Sequence, residues 1–186
     1  EFSSEPKIDG ISASLRYENG KLVYGLSRGD GTFGENITEN LITIKEIPKQ
    51  LFDSPKIIEV RGEVYIGKKD FEKLKDKFAN PRNAASGSLR QKNPEDAKKI
   101  PLRFIAYTYG YEKGMKINKQ DEFLQKLNEW GFKINPFNKT LQGVQNLMKN
   151  YYEIEKRRNE LDFDIDGIVY KINSFKLQNR LGNVAN

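Results

Sequence analysis

The feature that most constrains this chain is a pair of alternating runs joined by Asn19-Gly20. Ile11, Ala13, Leu15 and Tyr17 alternate with Ser12, Ser14 and Arg16, and Leu22, Tyr24 and Leu26 alternate along Lys21 to Ser27. Period-two alternation marks a half-buried strand. Asn-Gly between two such runs favours a two-residue turn, because both positions tolerate a positive φ. The pair predicts an antiparallel hairpin and a sheet grown from it. Further runs predict strands over 57–66, 102–111, 132–137 and 164–172. Apolar spacing and capping residues predict helices over 36–45, 68–77, 94–99, 121–130, 141–161 and 175–181. In the longest of these, Leu141, Val144, Leu147, Met148, Tyr151 and Leu161 are expected to form the buried stripe. The 186 residues show no repeat or linker and suit one domain.

Just before the hairpin stands Glu5-Pro6-Lys7-Ile8-Asp9-Gly10. If extended, it places Glu5, Lys7 and Asp9 on one face. Gly10 removes a side chain where the backbone must turn or come close to a ligand. A lysine between two carboxylates is a candidate nucleophile, and it is also a common kind of surface strand. Composition narrows the chemistry. The chain has no Cys and no His. That excludes thiolate or imidazole zinc sites and catalysis by Ser-His-Asp or Cys-His. What remains is Lys, Arg, Asp, Glu and hydroxyls, with a hard cation on oxygen ligands as the available metal chemistry. A net charge of +6 leans towards a phosphate-rich partner. The apolar runs are too short to cross a membrane, so no membrane partner is expected.

Other candidates lie far apart in sequence. Arg28 opens the glycine-rich stretch Arg28 to Gly34, which has neither a P-loop nor a G-x-G-x-x-G pattern. The strand over 57–66 puts Glu59, Arg61 and Glu63 on one face, and its Gly62 marks a bulge or a close approach. Asn80 to Gln91 mixes small residues with Arg82 and Arg90, which suit phosphate oxygens. Asp166 and Lys171 fall on opposite faces of a regular strand, so a shared site needs a twist or bulge. Tyr107, Tyr109 and Tyr111 are expected on one side of their strand, packing across it. A neutral lysine could attack a carbonyl or a phosphoryl group, and the residues alone leave that choice open.

Lys7-Ile8-Asp9-Gly10 resembles the K-x-D-G motif of DNA ligases and RNA capping enzymes. Arg28-Gly29-Asp30-Gly31, Glu59 to Val64, Asn80 to Gln91 and Asp164 to Lys171 follow in the order found in bacterial NAD-dependent DNA ligases. The run Asn-Pro-Arg-Asn-Ala-Ala-Ser-Gly-Ser-Leu-Arg-Gln is the most specific match. The resemblance implies an α+β fold, an ATP-grasp-like nucleotidyltransferase core of mainly antiparallel sheets flanked by helices. It implies that Lys7 attacks the AMP phosphorus of NAD, that AMP passes to the 5′-phosphate of nicked double-stranded DNA, and that the nick is then sealed in replication and repair.

By the same resemblance Glu5 contacts the adenine end, and Gly10 belongs to the cofactor-binding motif. Asp9, Arg28 and Glu63 lie about the ribose, and Asp166 and Lys171 serve metal and phosphate. Arg82 and Arg90 contact the nicotinamide side or the DNA backbone. Magnesium (or manganese) is the implied metal, with Asp166 and Glu63 as its candidate ligands. The resemblance further implies a monomeric, cytoplasmic bacterial protein. It makes residues 1–186 a partial adenylation domain without the N-terminal NAD-clamp module and the last lysine motif, weakly active or inactive by itself. Two readings stay open beside it: an ATP-dependent nucleotidyltransferase, and a non-catalytic basic module that binds nucleic acid.

Overall fold

The computed structural model describes residues 1–28 and 34–182. The hairpin forms as the sequence predicts: Ile11–Glu18 (β2) pairs antiparallel with Lys21–Ser27 (β3), and Asn19 and Gly20 both take positive φ, 49° and 79°. Before it runs Phe2–Ile8 (β1), and after it come a four-residue helix Thr38–Leu41 (α1) and Ile57–Ile66 (β4). Next are the helices Lys68–Phe71 (α2), Pro81–Leu89 (α3) and Pro94–Lys98 (α4), and then Leu102–Lys113 (β5). Gln120–Glu129 (α5), Lys139–Leu141 (β6), Val144–Arg157 (α6), Ile165–Ile172 (β7) and Phe175–Leu181 (α7) complete the order.

Two antiparallel sheets result. One is four-stranded, in the order β3-β2-β4-β5, and the other three-stranded, β6-β1-β7. β1 and β2 lie in different sheets, and only Asp9 and Gly10 separate them. The Lys7 motif is therefore the seam between the sheets. Alternation in β2 and β4 sends Ala13, Leu15, Val60 and Val64 into the main core, each fully buried, where they meet Leu41, Ala84, Phe123 and Phe132. A second cluster joins Ile8, Ile105, Ile154, Leu161, Phe163 and Ile165 under the three-stranded sheet. Burial of apolar side chains on this scale supplies the main driving force for the fold.

Several expectations are corrected. The strand expected over 132–137 is absent; Pro136 interrupts it, and Asn135 turns the chain by accepting the Phe137 N–H at 2.9 Å and donating to the Pro6 carbonyl at 3.2 Å. Pairing with β1 comes instead from β6. The helices expected over 36–45 and 68–77 shorten to α1 and α2, each continued by turns. The stripe expected over 141–161 is kept only in part: Leu161, past the end of α6, is buried in the second cluster and Leu147 is half-buried. Val144, Met148 and Tyr151 are exposed, whereas Asn150 and Ile154 are buried. The helix docks on the small residues of β1 through a hydrogen bond from Asn150 Nδ2 to Ser4 Oγ at 2.8 Å, so a polar residue sets its rotation. Gly62 marks a bulge, as expected, the register with β5 shifting between Arg61 and Gly62; the close approach is to protein and not to a ligand, since a Cβ there would clash with the Ile105 carbonyl and the Phe104 ring.

The three tyrosines of β5 also split. Register shifts beside Tyr107 and between Tyr109 and Glu112 break the alternation. Tyr109 packs edge-on against Phe123 and Phe175, Tyr111 lies by the Arg16 guanidinium, and Tyr107 faces a cleft.

Candidate active site

A cleft of about 710 Å³ opens where the two sheets meet, a volume suited to a nucleotide-sized ligand. Glu5, Lys7, Asp9, Gly10, Arg28, Glu63, Arg82, Arg90, Asp166 and Lys171 all line it. The glycine-rich residues 29–33 lie outside the described residues.

Lys7 reaches the cleft from β1, and its Nζ donates to Asp166 Oδ2 at 3.2 Å. The bulge this contact requires is present. Lys7 stands opposite Gly167 while Ile8 stands opposite Ile165, so Asp166 is the extra residue. The slip turns Asp166 onto the face of Lys7 and Lys171, and all three face the cleft. Lys171 reaches a different part of it. Its Nζ contacts Glu5 Oε1 at 2.9 Å and stands 5.3 Å from the centre of the Tyr107 ring. Glu5 is 4% exposed, and its Oε2 accepts from Ser3 Oγ at 2.8 Å and from Gln120 Nε2 at 3.0 Å.

Gly10 carries the chain across the seam against β4. A Cβ on it would stand 2.3 Å from the Val64 carbonyl, so the close approach is to backbone. Beside it, Glu63 Oε2 accepts from Ser12 Oγ at 3.1 Å. Burial pushes the Glu63 carboxyl up to about 7, against the opposing pull of the Ser12 hydroxyl, the Gly10 N–H and the charges of Arg82 and Lys7. Burial, helped by the Glu63 charge, likewise raises the Tyr107 hydroxyl above its usual range.

Asn80 caps α3 by accepting the Asn83 N–H at 2.7 Å, and Pro81 opens its first turn. This start aims Arg82 at Asp9, 3.6 Å away. At the other end Arg90 stands 4.0 Å from Glu35, and Asn40 Nδ2 pins that end by donating to the Leu89 and Gln91 carbonyls. Arg28 is exposed at the mouth.

Sequence reasoning missed Gln120, Ser3, Ser12 and the separate role of Tyr107. Buried amides and hydroxyls leave no periodic signature, and Tyr107 reaches the cleft through a bulge that alternation does not foresee. Among the described residues no group of three or more His, Cys, Asp or Glu is placed to hold a metal ion, and no helix is long and apolar enough to cross a membrane.

The family model for the NAD-dependent DNA ligase adenylation domain matches residues 1–186. The chain belongs to this family. A DNA ligase of Pelagibacter ubique (strain HTCC1062) is 66% identical over 188 residues, covering 100% of this chain and 28% of that protein. One from Bartonella bacilliformis is 50% identical over 194 residues, covering 100% of this chain and 27% of that protein. The chain thus spans little more than a quarter of the length of these relatives. A solved structure of mycobacterial DNA ligase D complexed with ATP and MES superposes with a TM-score of 0.54 at 13% identity, over 93% of this chain and 48% of that one. That likeness extends to the fold, the expected α+β core of antiparallel sheets flanked by helices.

Proposed function

We propose that this adenylation domain, as part of a longer ligase, forms a lysyl-AMP on Lys7 from NAD and that the AMP serves to seal nicked double-stranded DNA. The observation that carries the reading is the single cleft that gathers a lysine nucleophile, three arginines and a second lysine from strands, a helix and a loop far apart in sequence. The Lys7 amine attacks the AMP phosphorus in its neutral form. A P–N bond forms, the P–O bond to nicotinamide mononucleotide breaks, and that nucleotide leaves. Asp166, at 3.2 Å, is within reach of the proton the amine sheds. Arg82, with Arg28 and Arg90 nearer the mouth, supplies positive charge to the phosphates as it redistributes.

The inner wall suits a purine. Tyr107 offers a ring to stack on, and Glu5 with Lys171 offers an acceptor beside a donor. The ion pair of Lys171 with Glu5 supports a role at the base end rather than the phosphate role implied by resemblance. Asp9 and Glu63 line the same cleft and would offer their carboxylates to the ribose hydroxyls.

The carboxylates do not form a cage of their own, yet they fit magnesium (or manganese), which takes one or two carboxylates together with substrate phosphates. Asp166 and Glu63 would hold it, and its charge would favour the phosphoryl transfer. A cytoplasmic, monomeric ligase is the setting this reading carries with it.

The test uses the complete ligase. Incubation with NAD labelled in its AMP half should label the protein at Lys7, and Lys7→Ala should abolish the label. Labelling from ATP alone, or at another residue, would falsify the assignment. Salt-sensitive DNA binding without any adduct would favour the non-catalytic basic module.

A further inference from the structure

Behind the cleft lies a polar side chain that takes no part in the chemistry above. Gln120 opens α5 and is 1% exposed. Its Nε2 donates to Glu5 Oε2 at 3.0 Å and to the Tyr107 carbonyl at 2.9 Å. Both amide hydrogens therefore have acceptors. The flipped amide would turn its own oxygen onto a carboxylate and a carbonyl, so one orientation is fixed. The backbone is fixed too. Gln120 N–H donates to the Asn173 carbonyl at 2.8 Å and Asp121 N–H to Asn173 Oδ1 at 3.0 Å, just past the strand that carries Lys171.

A carboxylate oxygen has about two acceptor sites. At Glu5 Oε2, Gln120 fills one and Ser3, at 2.8 Å, fills the other. Oε1 receives Lys171 at 2.9 Å and keeps a second acceptor site. Lys171 spends a second hydrogen on the Tyr107 carbonyl at 3.4 Å and keeps one donor. The inner wall thus presents one acceptor beside one donor, in fixed order.

We propose that Gln120 is a positioning residue that gives the cleft its selectivity for a 6-aminopurine: by occupying Glu5 Oε2 it locks the order of Glu5 Oε1 and Lys171 Nζ. The proposal rests on the adenylylation reading above. Adenine presents a 6-amino donor beside the N1 acceptor. Hypoxanthine has the same outline with the order reversed, a 6-oxo acceptor beside an N1–H donor. A locked edge rejects the reversed order because it would leave buried polar groups unpaired. Without Gln120 the Glu5 carboxylate can rotate, and the pair can rearrange to meet either base.

The test compares NAD with nicotinamide hypoxanthine dinucleotide as donors to Lys7 in the complete ligase. The wild type should favour NAD by about 100-fold or more in rate constant over KM. Gln120→Met keeps the volume and removes both donated bonds. It should lower that preference about tenfold, chiefly by raising KM for NAD, with the maximal rate within about threefold of wild type. Ser3→Ala removes the other Oε2 partner and should lower the preference in the same direction, which keeps the test open if Gln120→Met does not fold. A purely structural Gln120 would lower thermal stability, or slow both dinucleotides alike, and an unchanged preference in the folded variants overturns the proposal. Absence of any adduct on the wild type would instead sink the adenylylation reading itself.

Discussion

The two ends of the cleft are built differently. At the inner end, Glu5 and Lys171 form an ion pair whose side chains are 5% and 20% exposed, backed by Ser3, Gln120 and the Tyr107 carbonyl. At the outer end, Lys7 pairs with Asp166 and Arg82 with Asp9, with side chains 58%, 41%, 59% and 37% exposed. The inner end is wired before a ligand arrives, and the outer end is held by pairs that solvent weakens. The difference fits the tasks proposed for them. Recognition gains from groups that need no reordering on binding. A nucleophile that must shed its partner and meet a phosphate gains from contacts that are easily exchanged.

The strongest way to break this comparison is Lys171→Met. It strands the Glu5 charge among buried groups, and removing one partner of a buried pair costs about 3–5 kcal/mol. Urea unfolding of variant and wild type should show a loss of that order. A loss below about 1 kcal/mol would mean that the inner pair is no more built than the outer ones.

Glu63 lines the same cleft, and its titration sharpens the contrast. The folded protein holds this carboxyl up at about 7, above the 4.5 of a free one, so folding favours its neutral form. The stability this contributes is fully present below the unfolded value and is lost as pH rises through about 7. The size is on the order of 3 kcal/mol. Glu63→Gln should therefore flatten the fall in stability between pH 5 and 8, read by thermal melts across that range. A melt profile as steep as that of the wild type would place the titration elsewhere.

Asp166→Asn probes the outer end. Its pair with Lys7 is exposed and should contribute about 0–1 kcal/mol, so the melting temperature should barely move. Lysyl-AMP formation should nevertheless fall by about 100-fold or more, as when a positioned proton acceptor is lost. A variant that loses stability and activity together would put Asp166 in the framework.

The framework was the more legible half in the sequence. Asn19-Gly20, the alternation of β2 and β4 and the Ser174 cap of α7 are local signals, and each produced the element it predicts, whereas the Asn80-Pro81 start of α3 was not read as a helix. The need for a bulge at Asp166 could also be read, because alternation alone set Asp166 and Lys171 apart. What escaped depends on distant contacts. Gln120 finds Glu5 across 115 positions, and Asn150 finds Ser4 across 146. Neither residue type announces burial, and the stripe expected over 141–161 was kept only in part for the same reason. Tyr107 reached the cleft through the register shift beside Gly62, a bulge that glycine signalled in β4 without showing which residue of β5 it would turn.

The smallest expected effect on stability, and the finest division of the outer end, belongs to Arg82. Its contact with Asp9 is long, 3.6 Å, and the arginine side chain is 59% exposed, so Arg82→Ala should shift stability by no more than about 0.5 kcal/mol. Resemblance alone leaves its charge to either the nicotinamide side or the DNA backbone, and the geometry favours the first. The capped start of α3 directs Arg82 inward to Asp9, while Arg90 stands towards the exposed Glu35. Arg82→Ala in the complete ligase should then raise KM for NAD about tenfold, the loss of one charged hydrogen bond. The salt dependence of DNA binding should keep its slope. A slope shallower by about 0.9, with KM unchanged, would assign Arg82 to a DNA phosphate and leave the dinucleotide to the groups deeper in the cleft.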